Sequence, residues 1–427
     1  MPKFKEDLLQ FVWRHRLLKP IPLICHSGSE ISILKPGELN VDSGPDFFNA
    51  HIRLNDLVLA GNVEIHLKTS DWLKHKHQDD KTYDTIILHA VYEHDVDLEQ
   101  NTKHQVEILE LKHYISPETI RLYEQLAAAK DKLACAAHLK EVNKFKFIAW
   151  LERMCTERLE YKVKTLQTWF SSYYGDYTQT FYTALLRNFG FKVNALPFEL
   201  IAKQLPVNLL LKHADNLLQV EALLFGTAGL LDEQFEDKYI LQLQNEFEFL
   251  KNKYQLMALK KELFKYSKLR PANFPTLRLA QFAQLLHSNP QLFLNPHQFN
   301  TSSELKNALN ITLQGYWKNH YSLDTSATFK DLAFGKTSIE NLIINSFAPF
   351  YFFYGKKLAK EEFTQLALDL LADCAPEENQ KTKLFAAKKE QIKSAADTQA
   401  LINLYDNYCV SKSCLKCGIA ASILNAK

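Results

Sequence analysis

The stretch Gly37–Trp72, GELNVDSGPDFFNAHIRLNDLVLAGNVEIHLKTSDW, decides how the first part of this chain is read. Phe48, Ala50, Ile52 and Leu54 alternate with Asn49, His51 and Arg53, a period of two that predicts a strand with one buried face. Asn55-Asp56 predicts a tight hairpin turn, because both side chains tolerate left-handed backbone. The return strand, Leu57–Lys68, sends Val63, Ile65 and Leu67 toward a core. It sets Glu64, His66 and Lys68 in a row on the opposite face, roughly 7 Å apart per step. Gly44-Pro45-Asp46 stands just before the first strand, so the hairpin brings Asp46 beside Glu64. Two neighbouring carboxylates repel, and a divalent cation is the usual relief. Oxygen ligands in a loose geometry suit Mg²⁺ or Mn²⁺, which activate water and stabilise charge developing on phosphorus. The bland reading of the same residues is a turn capped by Asp46 and a solvated strand face.

Outward from this hairpin the pattern is mixed up to about residue 116. Glu6–Leu18 predicts a helix with Leu8, Leu9, Val12, Trp13 and Leu17 on one side, and Ile31–Leu34 a short strand. Ser70-Asp71 predicts the cap of a short helix running through Trp72 to His77. Asp84–Glu93 is almost continuously apolar and predicts a strand buried on both faces, with His89 as a core histidine. Val106–Leu111 predicts a further strand. From Pro117 the apolar spacing turns helical, over Lys144–Ser171, Phe181–Phe191, Phe198–Leu205, Asn216–Leu231, Ile240–Ala258, Thr276–Leu286, Ser338–Tyr351, Glu361–Ala372 and Ala395–Tyr408. Breaks are expected at Pro197, Pro206, Pro271, Pro290, Pro296, Gly355 and Pro376. The fold class is therefore α+β: a mixed sheet domain over residues 1–116, ordered helix, three strands, helix, strand, then a large all-α domain over residues 117–427.

Composition narrows the function classes. A net charge of +2 over 427 residues sets up no global field for nucleic acid or membranes, so any such partner is recognised locally. Twelve glycines argue against a glycine-rich phosphate cradle and against an all-β chain of tight turns. No run approaches the roughly 18 uncharged apolar residues of a membrane helix, and the charged N-terminus is unlike a secretory signal. Seven cysteines, an odd number scattered along the chain, fit reduced thiols in a cytoplasm.

The order of elements around Pro45-Asp46 and Glu64-Ile65-His66 resembles the core of the PD-(D/E)XK nuclease superfamily over about residues 4–95. That resemblance implies a Mg²⁺- or Mn²⁺-dependent phosphodiesterase acting on nucleic acid, with Asp46 and Glu64 as metal ligands. The superfamily has lysine where this chain has His66. Either His66 takes that role of orienting the attacking water, or Lys68 takes it from the same strand face. The departure keeps open a non-catalytic nucleic-acid- or protein-binding module on a nuclease-like core.

Other residues carry competing chemistry. Eleven of the 15 histidines lie at or before His138. His75 and His77, with His66 and His89, suggest a zinc or non-haem iron site and hence a small-molecule metalloenzyme. An i, i+2 pair on a helix diverges, however, so the pair converges only if its segment leaves the helix; otherwise His75 and His77 touch substrate or solvent. Near the C-terminus, Cys409, Cys414 and Cys417 have the close spacing of a zinc or iron–sulfur ligand set, one ligand short, with Cys374, Cys135, Cys25 or a histidine as the fourth. Arg270 and Arg278 flank a proline-braced loop and either clamp substrate phosphates or satisfy groups within the fold. Lys388, Lys389 and Lys393 read as a solvated basic run. Finally, GELNVDSGPDF, GNVEIHLKTSDWLKH, LHAVYEHD, RPANFPTLRLAQ, PEEN and YC…CLKC together resemble an uncharacterised bacterial family defined only as a domain of unknown function. That family implies no activity.

Overall fold

The structure is a computed structural model that describes residues 4–98, 106–323, 325–326 and 334–425. The chain forms two compact units. Unit 1 comprises residues 1–150, 383–391 and 404–427; unit 2 comprises 151–382 and 392–403. The period of the apolar pattern changes near residue 117, but the helix that begins there is part of unit 1. Compactness divides the chain inside the long helix Lys144–Ser172.

Unit 1 opens with α1 (Glu6–His15), whose Leu8, Leu9, Phe11, Val12 and Trp13 are buried. Its strands are β1 (Leu23–Ile24), β2 (Glu30–Lys35), β3 (Glu38–Leu39), β4 (Phe47–Leu54), β5 (Leu57–Lys68), β6 (Ile86–Glu93) and β7 (Glu107–Glu110). They form one sheet in the order β1-β2-β4-β5-β6-β7, with β3 paired to β4. β2, β4 and β5 form an antiparallel meander; β6 and β7 add parallel strands. Leu54 pairs with Leu57 across the Asn55-Asp56 turn, and Asn55 takes the left-handed conformation expected of it.

One irregularity sets the face on which Asp46 lands. The β4–β5 register shifts between Phe47, opposite Val63, and Ala50, opposite Gly61. Asn49 sits in the bulge at φ +55°, a conformation asparagine tolerates better than most residues. The alternation therefore does not run unbroken through Phe48. Phe47 is fully buried and Phe48 is 36% exposed, the reverse of the uninterrupted pattern. Because side chains alternate faces, this one-residue insertion carries Asp46 to the same side as Glu64.

The crossover from β5 to β6 is shorter in helix than expected. The helix α2 (Asp71–Lys74) stops before His77, and Lys76 turns left-handed at φ +58°. Two 3₁₀ turns, His77–Asp79 and Lys81–Tyr83, complete the connection. α3 (Pro117–Ala128) starts with Ser116 Oγ accepting from the Glu118 N–H and Pro117 in its first turn. Lys388 departs from the solvated reading: it is buried, and its ammonium donates to the carbonyls of Lys140 (3.1 Å) and Val142 (2.6 Å).

Unit 2 is helical throughout its regular structure. Its core is aromatic, with Phe181, Tyr182, Phe189, Phe282, Phe293, Phe347, Phe350 and Tyr351 buried. The break expected at Pro197 falls at Asn194: Phe191–Gln204 is two helical pieces joined across a kink there, which leaves Pro197 in the first turn of the second piece, where its missing N–H costs little. The Asn194 side chain compensates by bonding both the N–H and the carbonyl of Lys265. The segment expected as one helix over Ser338–Tyr351 is Lys336–Leu342, a π turn Ile343–Phe347 and Ala348–Leu358. No helix among the described residues is long and apolar enough to cross a membrane.

Candidate metal centre

The sheet of unit 1 brings Asp46 and Glu64 together. The Asp46 N–H donates to Glu64 Oε2 (3.0 Å), and the Ile65 N–H donates to Asp46 Oδ2 (2.9 Å). From α1, Gln10 Nε2 donates to Asp46 Oδ1 (2.8 Å). Glu6, one turn earlier on the same helix, accepts from the Leu67 N–H. Burial, then the charge of Glu64, pushes the Asp46 carboxyl well above the usual carboxylate range. Burial raises Glu6 as well.

Imidazoles surround the other Glu64 oxygen. Glu64 Oε1 lies 3.4 Å from His66 Nε2 and 3.3 Å from His77 Nε2. One ring nitrogen each of His66, His75 and His77 falls within 4.8 Å of the others. The left-handed Lys76 between His75 and His77 is what turns two residues of an i, i+2 pair toward one point, their ring centroids 5.4 Å apart. His77 is held between partners, stacked on Tyr83 (3.8 Å) and edge-on to Trp72 (5.3 Å). Behind the site, His66 Nδ1 lies 2.9 Å from Nε2 of the fully buried His89. His89 therefore orients His66 from within a buried strand. Burial, then the neighbouring His77 and His75, lowers His66 to about 3. It is a neutral imidazole at physiological pH, the form that ligates metals.

These donors fit a divalent metal. His77 Nε2 is buried without a hydrogen-bond partner, although it points at a carboxylate oxygen. An unpaired buried nitrogen is costly, and coordination would satisfy it. Three imidazoles beside carboxylates suit Mn²⁺, Fe²⁺ or Zn²⁺ better than Mg²⁺, which prefers oxygen and retained water.

A family described as "Protein of unknown function (DUF2851)" matches residues 6–380. The chain belongs to that family. No curated protein and no solved structure matches it. The family match spans the carboxylates, the imidazoles and most of unit 2 and stops short of Cys409.

The remaining sequence candidates fall elsewhere. Lys68 Nζ lies 3.6 Å from Asp95 Oδ2, and the Lys68 N–H donates to Asp71; its ammonium is engaged beside the next loop, not by Glu64. His75 is exposed and forms the open side of the imidazole group. Arg278, in unit 2, is buried; it donates to Gln281, Asn273 and Ser338 and stacks over Phe191 and Phe334. Arg270 is exposed in the same unit. Sequence reasoning missed Glu6, Gln10 and Tyr83. The first two carried a signal: they stand one turn apart on the polar side of an amphipathic helix, a spacing that puts both on one site. Tyr83 lies in an irregular connection with no period to read.

Proposed function

We propose that this chain is a metal-dependent hydrolase of phosphodiester bonds, working through a divalent transition metal held by Glu64, His66 and His77. The observation that carries the reading is the approach of His66 Nε2 and His77 Nε2 to one oxygen of a buried glutamate that adjoins a second carboxylate, Asp46. A bound cation supplies charge neutralisation and water activation at such a site. Asp46, fixed by Gln10 and the Ile65 N–H, holds a carboxyl beside the ligands; a bound cation would favour its ionised form, which can take a proton from the attacking water. His89 keeps the Nδ1 side of His66 occupied, which leaves Nε2 for the metal. The exposed His75 closes the group toward solvent and is free to contact a phosphate oxygen. Nucleic acid is the proposed substrate class, consistent with the Asp, Glu-x-His order on adjacent strands.

A second reading, a metalloenzyme acting on a small molecule, is favoured by the three-imidazole group, a nitrogen-rich donor set like that of catalytic zinc sites. The test is hydrolysis of bis(p-nitrophenyl) phosphate and of labelled DNA and RNA with Mn²⁺, Zn²⁺, Mg²⁺ or EDTA, beside Glu64→Gln and His77→Gln. Metal-dependent cleavage abolished by both substitutions supports the phosphodiesterase. Metal binding with nitrogen coordination and no cleavage of any phosphodiester transfers support to the second reading. Cleavage that survives both substitutions overturns each of them.

A further inference from the structure

Four cysteines of unit 1 lie on two stretches, distant in sequence, that pack against each other. Cys409 closes the π turn Tyr405–Cys409, after which the chain folds back: the Lys412 N–H bonds the Cys409 carbonyl (3.1 Å), and Ser413 bonds Tyr408 (2.8 Å). The left-handed Lys412, at φ +51°, makes this reversal. Cys414 and Cys417 bracket the next 3₁₀ turn, with the Cys417 N–H on the Cys414 carbonyl (3.0 Å). Cys135 immediately precedes the 3₁₀ turn Ala136–Glu141, and the helix Gly418–Leu424 that follows Cys417 packs on that turn. Lys412 Nζ donates to the Ala129 carbonyl (2.8 Å), a second tie between the two stretches.

The thiols sense one another. Cys409 is acted on by Cys417, Cys135 and Cys414, and Cys135 by Cys417 and Cys414, after burial. Burial raises the Cys417 thiol, and the backbone N–H groups of Ala420 and Ile419 beside it offset part of that rise. Burial raises all four thiols, so they are neutral without a metal, and a bound cation would supply the charge that favours the thiolates. The approach is tight: a Cβ at Gly418 would come within 2.5 Å of the Trp150 ring. Cys25, Cys155 and Cys374 behave otherwise, as buried small residues at 2–4% exposure, whereas the four clustered cysteines are all partly exposed.

We propose that Cys135, Cys409, Cys414 and Cys417 bind a soft metal as four thiolates, either zinc or an iron–sulfur cluster, in a structural centre separate from the Glu64 site. Each thiol gives its proton to solvent, and each sulfur donates a lone pair to the metal. A closed four-sulfur shell leaves no position for substrate, so the role is bracing. What it braces is specific: the Cys414–Lys416 turn packs against α1, the helix that carries Glu6 and Gln10.

The test is elemental analysis of anaerobically purified full chain for zinc and iron, with X-ray absorption at the edge of whichever metal is found. Carrying the analysis out on His66→Ala/His77→Ala protein removes the other centre, so the two assignments fail independently. The expected result is a stoichiometric metal with about four sulfur neighbours that persists in that variant. It should disappear in Cys414→Ser and Cys417→Ser, with absorption in the visible if the metal is iron. An organomercurial titration of wild-type protein, which needs no substitution to fold, should release the metal as these thiols react. Stoichiometric metal without sulfur neighbours, or metal-free protein with seven freely reactive thiols or a disulfide among the four, overturns the proposal.

Discussion

Asp46→Asn separates a metal ligand site from a turn with an ordinary cap. Asp46 accepts from Ile65 and Gln10 and carries its charge next to Glu64. Asparagine keeps the shape. Its oxygen can still take the Ile65 N–H, and its amide can face Gln10 once the glutamine turns its own amide round. Little hydrogen bonding is lost. What disappears is repulsion between two carboxylates, worth about 3 kcal/mol at roughly 5 Å with an effective dielectric constant near 20. Wild-type protein escapes part of that cost by keeping Asp46 protonated. Because the folded-state pKa is raised, the stability tied to that proton is fully present below the ordinary carboxylate pKa and is lost as pH rises. In EDTA the variant should therefore match wild type only near pH 4 or below and exceed it increasingly above that, by about 1–3 kcal/mol near pH 8. With Mn²⁺ or Zn²⁺ at about 100 times the wild-type dissociation constant, wild type gains about 2.7 kcal/mol; the variant keeps Glu64, His66 and His77 but lacks the second negative charge beside them, so it binds more weakly and gains less. The advantage of the variant in chelator should thus shrink or reverse in metal. A variant less stable than wild type in EDTA at pH 8, with an undiminished metal-induced rise, would refute the reasoning and return Asp46 to the role of a cap.

Three further outcomes follow from the geometry. His89→Leu removes the partner that orients His66 and should weaken metal binding by about 10- to 100-fold in calorimetric titration, while the apolar replacement keeps the strand packed. Lys68→Met should leave metal affinity within about twofold and cost less than about 1 kcal/mol in denaturant, since the ammonium pairs with Asp95 and not with Glu64; a large loss of affinity would place the lysine in the site after all. In unit 2, burial raises the Glu221 carboxyl to about 7, beside the Tyr239 hydroxyl that bonds it. Its contribution is present below pH 4.5 and is lost as pH rises toward 7, about 3 kcal/mol in all. Glu221→Gln should flatten the stability profile over that window, which urea unfolding at several pH values would read.

The parts of the fold that were legible are those whose hydrophobic period repeats. β5 spans Leu57–Lys68 as the alternation of Val63, Ile65 and Leu67 implies, and Glu361–Ala372 matches its helical spacing residue for residue. The departures all lie where one residue interrupts a period. Asn49 adds a residue to β4 and swaps Phe48 for Phe47 in the core. The break expected at Pro197 falls one turn earlier, at Asn194, whose side chain bonds Lys265, some seventy residues away. Lys388 looked solvated because two other lysines follow closely; two carbonyls more than two hundred residues upstream claim its ammonium. Long-range partners of this kind leave no trace in local spacing.

The candidate site shows the same division and adds an energetic one. Asp46, Glu64 and His66 were readable because they sit on one hairpin. His77 and His75 converge only through the left-handed Lys76, and Glu6 and Gln10 arrive on a helix whose burial pattern speaks only for its other side. Five elements thus deliver two carboxylates, a third from α1 and four imidazoles into a largely buried volume, with His77 Nε2 and His89 Nδ1 lacking hydrogen-bond partners. Stability gives no reason for that arrangement. Each unpaired buried polar atom costs about 1–3 kcal/mol, and neighbouring buried carboxylates add to the deficit. Apolar residues of similar volume would hold the same sheet at lower cost. Protonation of Asp46 relieves part of the strain, and a cation able to accept nitrogen lone pairs would relieve the rest. That is the physical argument for a cation, and it rests on the groups left unsatisfied more than on any single motif.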